Sequence, residues 1–129
     1  MENETAIKRK IRILNDVRER LWDMTILVEG VHDIRALEIA GMGSMAEIIA
    51  ISGRKPEEIC ETLGGRKVAI MTDFDRNGQR MATRLEGALL AHNALPDISC
   101  RNDLRRILGL NTIEDLPTAL TEFEKKVKV

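Results

Sequence analysis

The sequence predicts an α/β fold, a parallel sheet of about four strands with helices flanking it, and three observations predict it. Short apolar runs rich in β-formers, "MTILV" (24–28), "EIIAIS" (47–52) and "KVAIMT" (67–72), alternate with amphipathic segments of helical length. The runs are continuously apolar rather than alternating, as in strands buried on both faces. Glycines and single prolines stand between the segments, where the chain must turn.

Residues 6–22 carry Ile7, Ile11, Leu14, Val17 and Leu21 at helical spacing, with Lys and Arg on the other face. The strand at 24–28 follows, then the turn "EGVHD" and a helix over 33–40 that Gly41 and Gly43 end. After the strand at 47–52 comes a loop, Gly53 to Pro56. Pro56 suits a first helical position, and Glu57 and Glu58 suit the positive end of the helix dipole. That helix stops at Gly64 and Gly65, before the strand at 67–72. A longer helix is expected over 77–91, with Met81, Leu85, Ala88 and Leu89 inward. "DISC" (97–100) reads as a short fourth strand, and 102–109 and about 117–127 as closing helices, with Pro117 near the start of the second.

Length and composition bound the rest. A chain of 129 residues is expected to form one domain, with a core at about 23–100, an amphipathic helix at 1–22 and a helical extension at 101–129. The hydrophobic share of 43% rules against disorder. No apolar run approaches the roughly 20 residues of a membrane span. The first ten residues lack the apolar core of a signal peptide, so a cytoplasmic location without membrane partners is expected. Cys60 and Cys100 form no CxxC pair and are expected to be reduced thiols. A net charge of -1 argues against binding nucleic acid through bulk charge, though not against a local basic patch. Aromatics are confined to Trp22, Phe74 and Phe123, so platforms for base stacking are not expected.

The chemistry lies at the strand ends. Glu29 follows the first strand directly, and Asp73 and Asp75 follow the third. In a parallel sheet both turns open on one edge, the edge where such folds bind ligands. If the two strands are neighbours, three carboxylates converge, and like charges repel unless a cation joins them or one is protonated. Hard oxygens in this number suit magnesium, with phosphate as co-ligand. Other readings of "DFDRNG" are weaker. An EF-hand loop needs glutamate at its twelfth position, where Arg84 stands, and it should follow a helix. A haloacid-dehalogenase-type site usually has Thr or Val where Asn77 stands. A purely structural turn, with Asp and Asn as turn formers, remains the plain alternative.

Taken together, "ILVEGVHDIRAL" and, some forty residues on, "VAIMTDFDRNG" resemble the Toprim domain of topoisomerases, bacterial-type primases, OLD-family nucleases and small ribosomal-RNA maturases. Glu29 and Gly30 match its Glu-Gly element, and Asp73, Asp75 and Gly78 match its Asp-x-Asp element, over about residues 23–100. The resemblance implies a Rossmann-like parallel sheet and chemistry on nucleic-acid phosphodiesters dependent on magnesium or manganese. It implies that Asp73 and Asp75 hold the metal, and that Glu29 acts as general acid or base and also contacts metal. It implies structural roles for Gly30 and Gly78. Where many members carry lysine after Glu-Gly, this chain has Val31 and His32. His32 either substitutes for that cation or faces solvent at a helix start, and Asp33 suits a first helical turn without any chemistry. The chain has no tyrosine to hold a cut strand, which excludes topoisomerase chemistry by this chain alone.

Arg76, Arg80 and Arg84 recur every four residues from the acidic loop onward. Arg54 and Lys55 follow the second strand and belong on the same edge, and Arg101 joins them if 97–100 is a strand. Arg66 and Lys67 belong at the opposite edge. Such a rim suits contact with a phosphate backbone; an ordinary solvated helix face is the competing account. The expectation is a metal-dependent nuclease or RNA-processing enzyme whose partners are RNA or DNA and a divalent metal. A non-catalytic nucleic-acid or ribonucleoprotein-binding module and primase-like nucleotidyl transfer are the alternatives. Oligomeric state stays open.

Overall fold

The computed structural model describes residues 3–127. The chain runs through α1 (Glu4–Trp22), β1 (Thr25–Val28), α2 (Val31–Ile39), β2 (Ile48–Ala50), α3 (Pro56–Glu61), β3 (Lys67–Ile70), α4 (Arg76–Ala91), β4 (Leu95–Asp97) and α5 (Ser99–Leu108). A single 3-10 turn (Ile113–Asp115) leads into α6 (Leu116–Val127). The four strands form one parallel sheet in the order β2-β1-β3-β4. The α/β class with a flanked four-stranded parallel sheet is therefore observed.

Residue alternation along the central strands divides the core in two. Ile26, Val28, Ala69 and Met71 face a core shared with Leu14, Val17 and Leu21 of α1, Leu37 of α2, Leu104 of α5 and Leu120 of α6. Leu27, Val68 and Ile70 face the other, closed by Ile59 of α3 and by Ala82, Leu85 and Leu89 of α4. Because β1 and β3 have a layer on each side, they had to be apolar throughout, and this is why their runs read as continuous. Each fully buried Leu or Ile contributes about 1.5–3 kcal/mol. The amphipathic α1 packs on its own sheet and is tied to α5 by the Arg20–Asp103 ion pair at 2.7 Å. Cys60 lies in the second core and Cys100 in the first, both as free thiols.

The fourth strand is displaced from its expected place: β4 is Leu95–Asp97, and Ser99 and Cys100 already belong to α5. Pro96 lacks an amide donor, which argues against a central strand, but β4 is an edge strand, where proline is tolerated. Asp97 then starts the helix, accepting from the Ser99 hydroxyl at 2.6 Å and the Cys100 N–H at 3.1 Å. On α4 the fully inward positions are Gly78, Ala82, Leu85 and Leu89; Met81 and Ala88, expected inward, are only half-buried.

Two glycines of the strand-end turns differ in what they require. A Cβ on Gly78 would lie 1.9 Å from the Asp73 carbonyl oxygen, so the first turn of α4 can pack on the Asp73 backbone only without a side chain. Gly30, expected to be a structural glycine, has extended backbone (φ -138°) and nothing within 4 Å of an added Cβ. Its conformation and surroundings do not demand glycine. Gly78→Ala should therefore destabilise the fold by more than about 2 kcal/mol, whereas Gly30→Ala should cost less than about 1 kcal/mol. Urea midpoints of the two variants check the contrast.

Candidate acidic site at the sheet edge

β1 and β3 are hydrogen-bonded neighbours in the middle of the sheet, and β2 and β4 lie on opposite sides of the pair. The winding changes direction between them, which opens a crevice at their carboxyl ends. Glu29 and Asp73 extend from those ends into it. The Asp73 N–H donates to Glu29 Oε2 at 2.9 Å, so the two loops meet through a carboxylate. Asp73 Oδ1 accepts from the Ile113 N–H at 2.8 Å, and Asp75 Oδ1 caps α4 by accepting from the Gly78 N–H at 2.7 Å. Each of the three carboxylates is thus oriented by one backbone N–H, and the carboxyl groups of Glu29 and Asp73 also lie within hydrogen-bonding reach of each other. The structural reading of the Asp pair is correct in part, since Asp75 is a helix cap.

Electrostatics at the centre are unfavourable for one more negative charge. Burial pushes the Glu29 carboxyl above its ordinary range; the Asp73 N–H, which favours the ionised form, opposes this, while the hydrogen bond with the Asp73 side chain and then the charges of Asp73 and Asp75 add to the rise. Asp33 closes the turn behind it: Gly30 N–H donates to Asp33 Oδ2 at 3.0 Å, and Asp33 N–H returns to the Gly30 carbonyl at 3.1 Å. Asp33 is buried, and desolvation first, then Asp73 and Glu114, raise its carboxyl too.

Arg101 corrects the sequence reading. It was expected on the cationic rim, but it is 2% exposed, below the acidic loop. Its Nε donates to the Thr72 carbonyl at 2.9 Å, Nη2 to the Asp73 carbonyl at 2.6 Å and Nη1 to Gln79 Oε1 at 3.0 Å, and its guanidinium lies 5.0 Å from the centre of the Phe74 ring. A planar fork of fixed donors suits this task, and a lysine could not reproduce it. The signal was present: Cys100, Arg101, Leu104 and Ile107 share one inward face of α5.

The other predicted cations fall into two groups. Arg54, Arg76 and Arg80 are exposed and make no ion pair among the described residues. Arg84 is engaged by Glu57 through two hydrogen bonds, at 2.6 and 2.8 Å, and Lys55 approaches Glu58 at 4.0 Å. The stripe on α4 is therefore free in its first two members and paired in its third. Lys67 begins β3 and Arg66 directly precedes it, at the far edge as expected. His32 is exposed in the first turn of α2.

Whether these residues suit a divalent cation was tested on their donors. Among the described residues, no group of three or more His, Cys, Asp or Glu side chains is placed so as to hold a metal ion. The carboxylate oxygens of Asp73, Asp75 and Glu29 are hard donors, and magnesium keeps most of its waters, requiring only one or two carboxylates besides phosphate. The donor chemistry fits magnesium held in that open manner and does not fit a closed protein cage.

Fold and site define a parallel α/β protein with an acidic centre at the switch point of its sheet. The chain belongs to the UPF0292 family. It is 35% identical to the UPF0292 protein of Thermococcus gammatolerans over 101 residues, covering 78% of this chain and 73% of that one. The UPF0292 protein of Thermococcus onnurineus is 35% identical over 112 residues, covering 84% and 81%. That of Archaeoglobus fulgidus is 30% identical over 104 residues, covering 81% and 79%. No family model matches the sequence. The solved structure of a protein from Aquifex aeolicus superimposes with a TM-score of 0.68 at 25% identity, covering 81% of this chain and 95% of that one. No helix among the described residues is long and apolar enough to cross a membrane.

Replacing Arg101 by Met should destabilise the protein by about 3 kcal/mol or more, because two carbonyls and Gln79 lose their donor. Arg101→Lys should recover only part of that loss in a denaturant titration. For Asp33, the folded state holds the proton more tightly than the unfolded chain does. Its contribution to stability is complete below its ordinary value of 3.8 and is lost as pH rises through the raised folded value. Asp33→Asn retains an oxygen for the Gly30 N–H and carries no charge. Its stability relative to the wild type should increase with pH across that window, as read from urea midpoints at each pH.

Proposed function

We propose that the protein is a magnesium-dependent phosphodiesterase acting on nucleic acid, a nuclease or RNA-processing enzyme of Toprim type. The observation that carries this reading is the hydrogen bond from the Asp73 N–H to Glu29 Oε2, which keeps a carboxyl of raised proton affinity against the aspartate loop. Asp73 and Asp75 would hold magnesium or manganese through the oxygens their backbone partners leave free, with Glu29 at the margin. When bound, the ion would neutralise charge on a non-bridging phosphate oxygen. Glu29 would take a proton from an attacking water or give one to the leaving oxygen, a role that a half-buried carboxyl with raised proton affinity suits. Water is the nucleophile, because this chain has no tyrosine. Arg54, Arg76 and Arg80, free of ion pairs, would contact the phosphate backbone and set its register.

A second reading, a nucleic-acid-binding module without catalysis, is favoured by one observation: the Asp75 carboxylate already serves as a helix cap. One assay separates the two. Labelled RNA, single-stranded DNA and duplex DNA are incubated with the protein, nucleoside triphosphates and magnesium or manganese. Shortened products are expected; unchanged input with salt-sensitive association supports the module, and lengthened products would signify nucleotidyl transfer. Glu29→Gln should lower turnover about 100-fold or more while sparing manganese affinity better than Asp73→Asn does. Full activity in the Gln variant would remove Glu29 from the mechanism.

A further inference from the structure

Beside the acidic centre, between the ends of β1 and β2 and the side of α4, a cleft of about 360 Å³ opens. Glu29, Arg54 and Arg84 line it together with Ile51, Pro56 and Met81. Its two kinds of wall ask for two kinds of ligand surface. The guanidinium of Arg54 has no ion pair among the described residues, and that of Arg84 is fixed in position by Glu57. A phosphate alone would satisfy them. It would leave the apolar wall of Ile51, Pro56 and Met81 unmatched, and the volume is at the lower end of sites that enclose a small organic ligand. A duplex offers a surface of this shape only its phosphates, because its bases stay stacked inside. An unpaired nucleotide offers both an anionic phosphate and an apolar base face, and the pliable thioether of Met81 adapts to any base.

We propose that this cleft seats one unpaired nucleotide of the strand whose phosphodiester lies at the acidic centre, so that the protein selects single-stranded over duplex nucleic acid. The inference rests on the phosphodiesterase reading above and adds to it the strandedness of the substrate. With the base against Met81 and Ile51 and its phosphate facing Arg54, the adjoining phosphodiester would fall toward Glu29, which lines the same cleft.

Equilibrium binding of a labelled short oligonucleotide, single-stranded or annealed into a duplex, tests this with calcium in place of magnesium. The single strand should bind about ten-fold more tightly than the duplex. Met81→Glu, on a half-buried side chain, should erase that preference by placing a carboxylate against the base. Arg54→Ala, at an exposed position without an ion pair among the described residues, should weaken the single strand several-fold and reduce the salt slope by about one ion. Equal affinity for the two forms, or an unchanged preference in a folded Met81→Glu protein and in Arg54→Ala, overturns the inference; Glu29-dependent cleavage would survive that result. A free nucleoside monophosphate that binds as tightly as the oligonucleotide also overturns it, by making the ligand a free nucleotide. Absence of both binding and cleavage with every nucleic acid overturns the inference and the phosphodiesterase reading together.

Discussion

Asp73 is the residue on which the site depends, because it is held from four directions. Its N–H is held by Glu29, its carbonyl by Arg101 and one carboxylate oxygen by the Ile113 N–H, while Gly78 packs against its backbone. These partners come from the end of β1, from α5, from the 3-10 turn before α6 and from the first turn of α4. The acidic loop is thus fixed by elements on both faces of the sheet. Preorganisation of this kind is what a site needs if a phosphate is to meet fixed charges rather than reorganise them.

The buried guanidinium of Arg101 explains how three carboxylates can share one edge. Burial alone makes the Arg101 charge harder to maintain, and neighbouring Arg105 adds to this, but the fields of Glu29, Asp73 and Asp75 act the other way. The cation therefore offsets part of their repulsion from below, leaving the solvent side of the cluster to a ligand. A permanent internal charge also means that the loop retains its shape without a bound ion, which agrees with its dense hydrogen bonding to backbone groups.

What could be read from the residues followed physical rules of different reach. The fold class was legible because a strand buried on two faces must be apolar throughout, as in "ILV" and "VAI". The meeting of Glu29 with the Asp73 loop was legible because parallel strands end on one edge, and its one further condition, that β1 and β3 be neighbours, is met. Arg101 was misplaced because a charge is ordinarily solvated, and only its partners, two backbone carbonyls and Gln79, make its burial affordable. The displaced fourth strand had the same kind of cause. Pro96 weighs against a strand locally, whereas its place at the sheet edge, a tertiary fact, removes the objection. Ile113, whose N–H orients Asp73, lies 40 residues away at the start of a single 3-10 turn, and nothing local marks it.

The two thiols show what a three-layer architecture implies for redox chemistry. Cys60 and Cys100 occupy cores on opposite faces of the sheet, so the sheet itself stands between them and no disulfide can join them in the folded state. Burial pushes both sulfhydryls up, Cys100 to about 12, so the reactive thiolate is scarce at neutral pH. Thiol oxidation should therefore be slow in the native protein, and neither cysteine ties its integrity to a reducing or an oxidising environment.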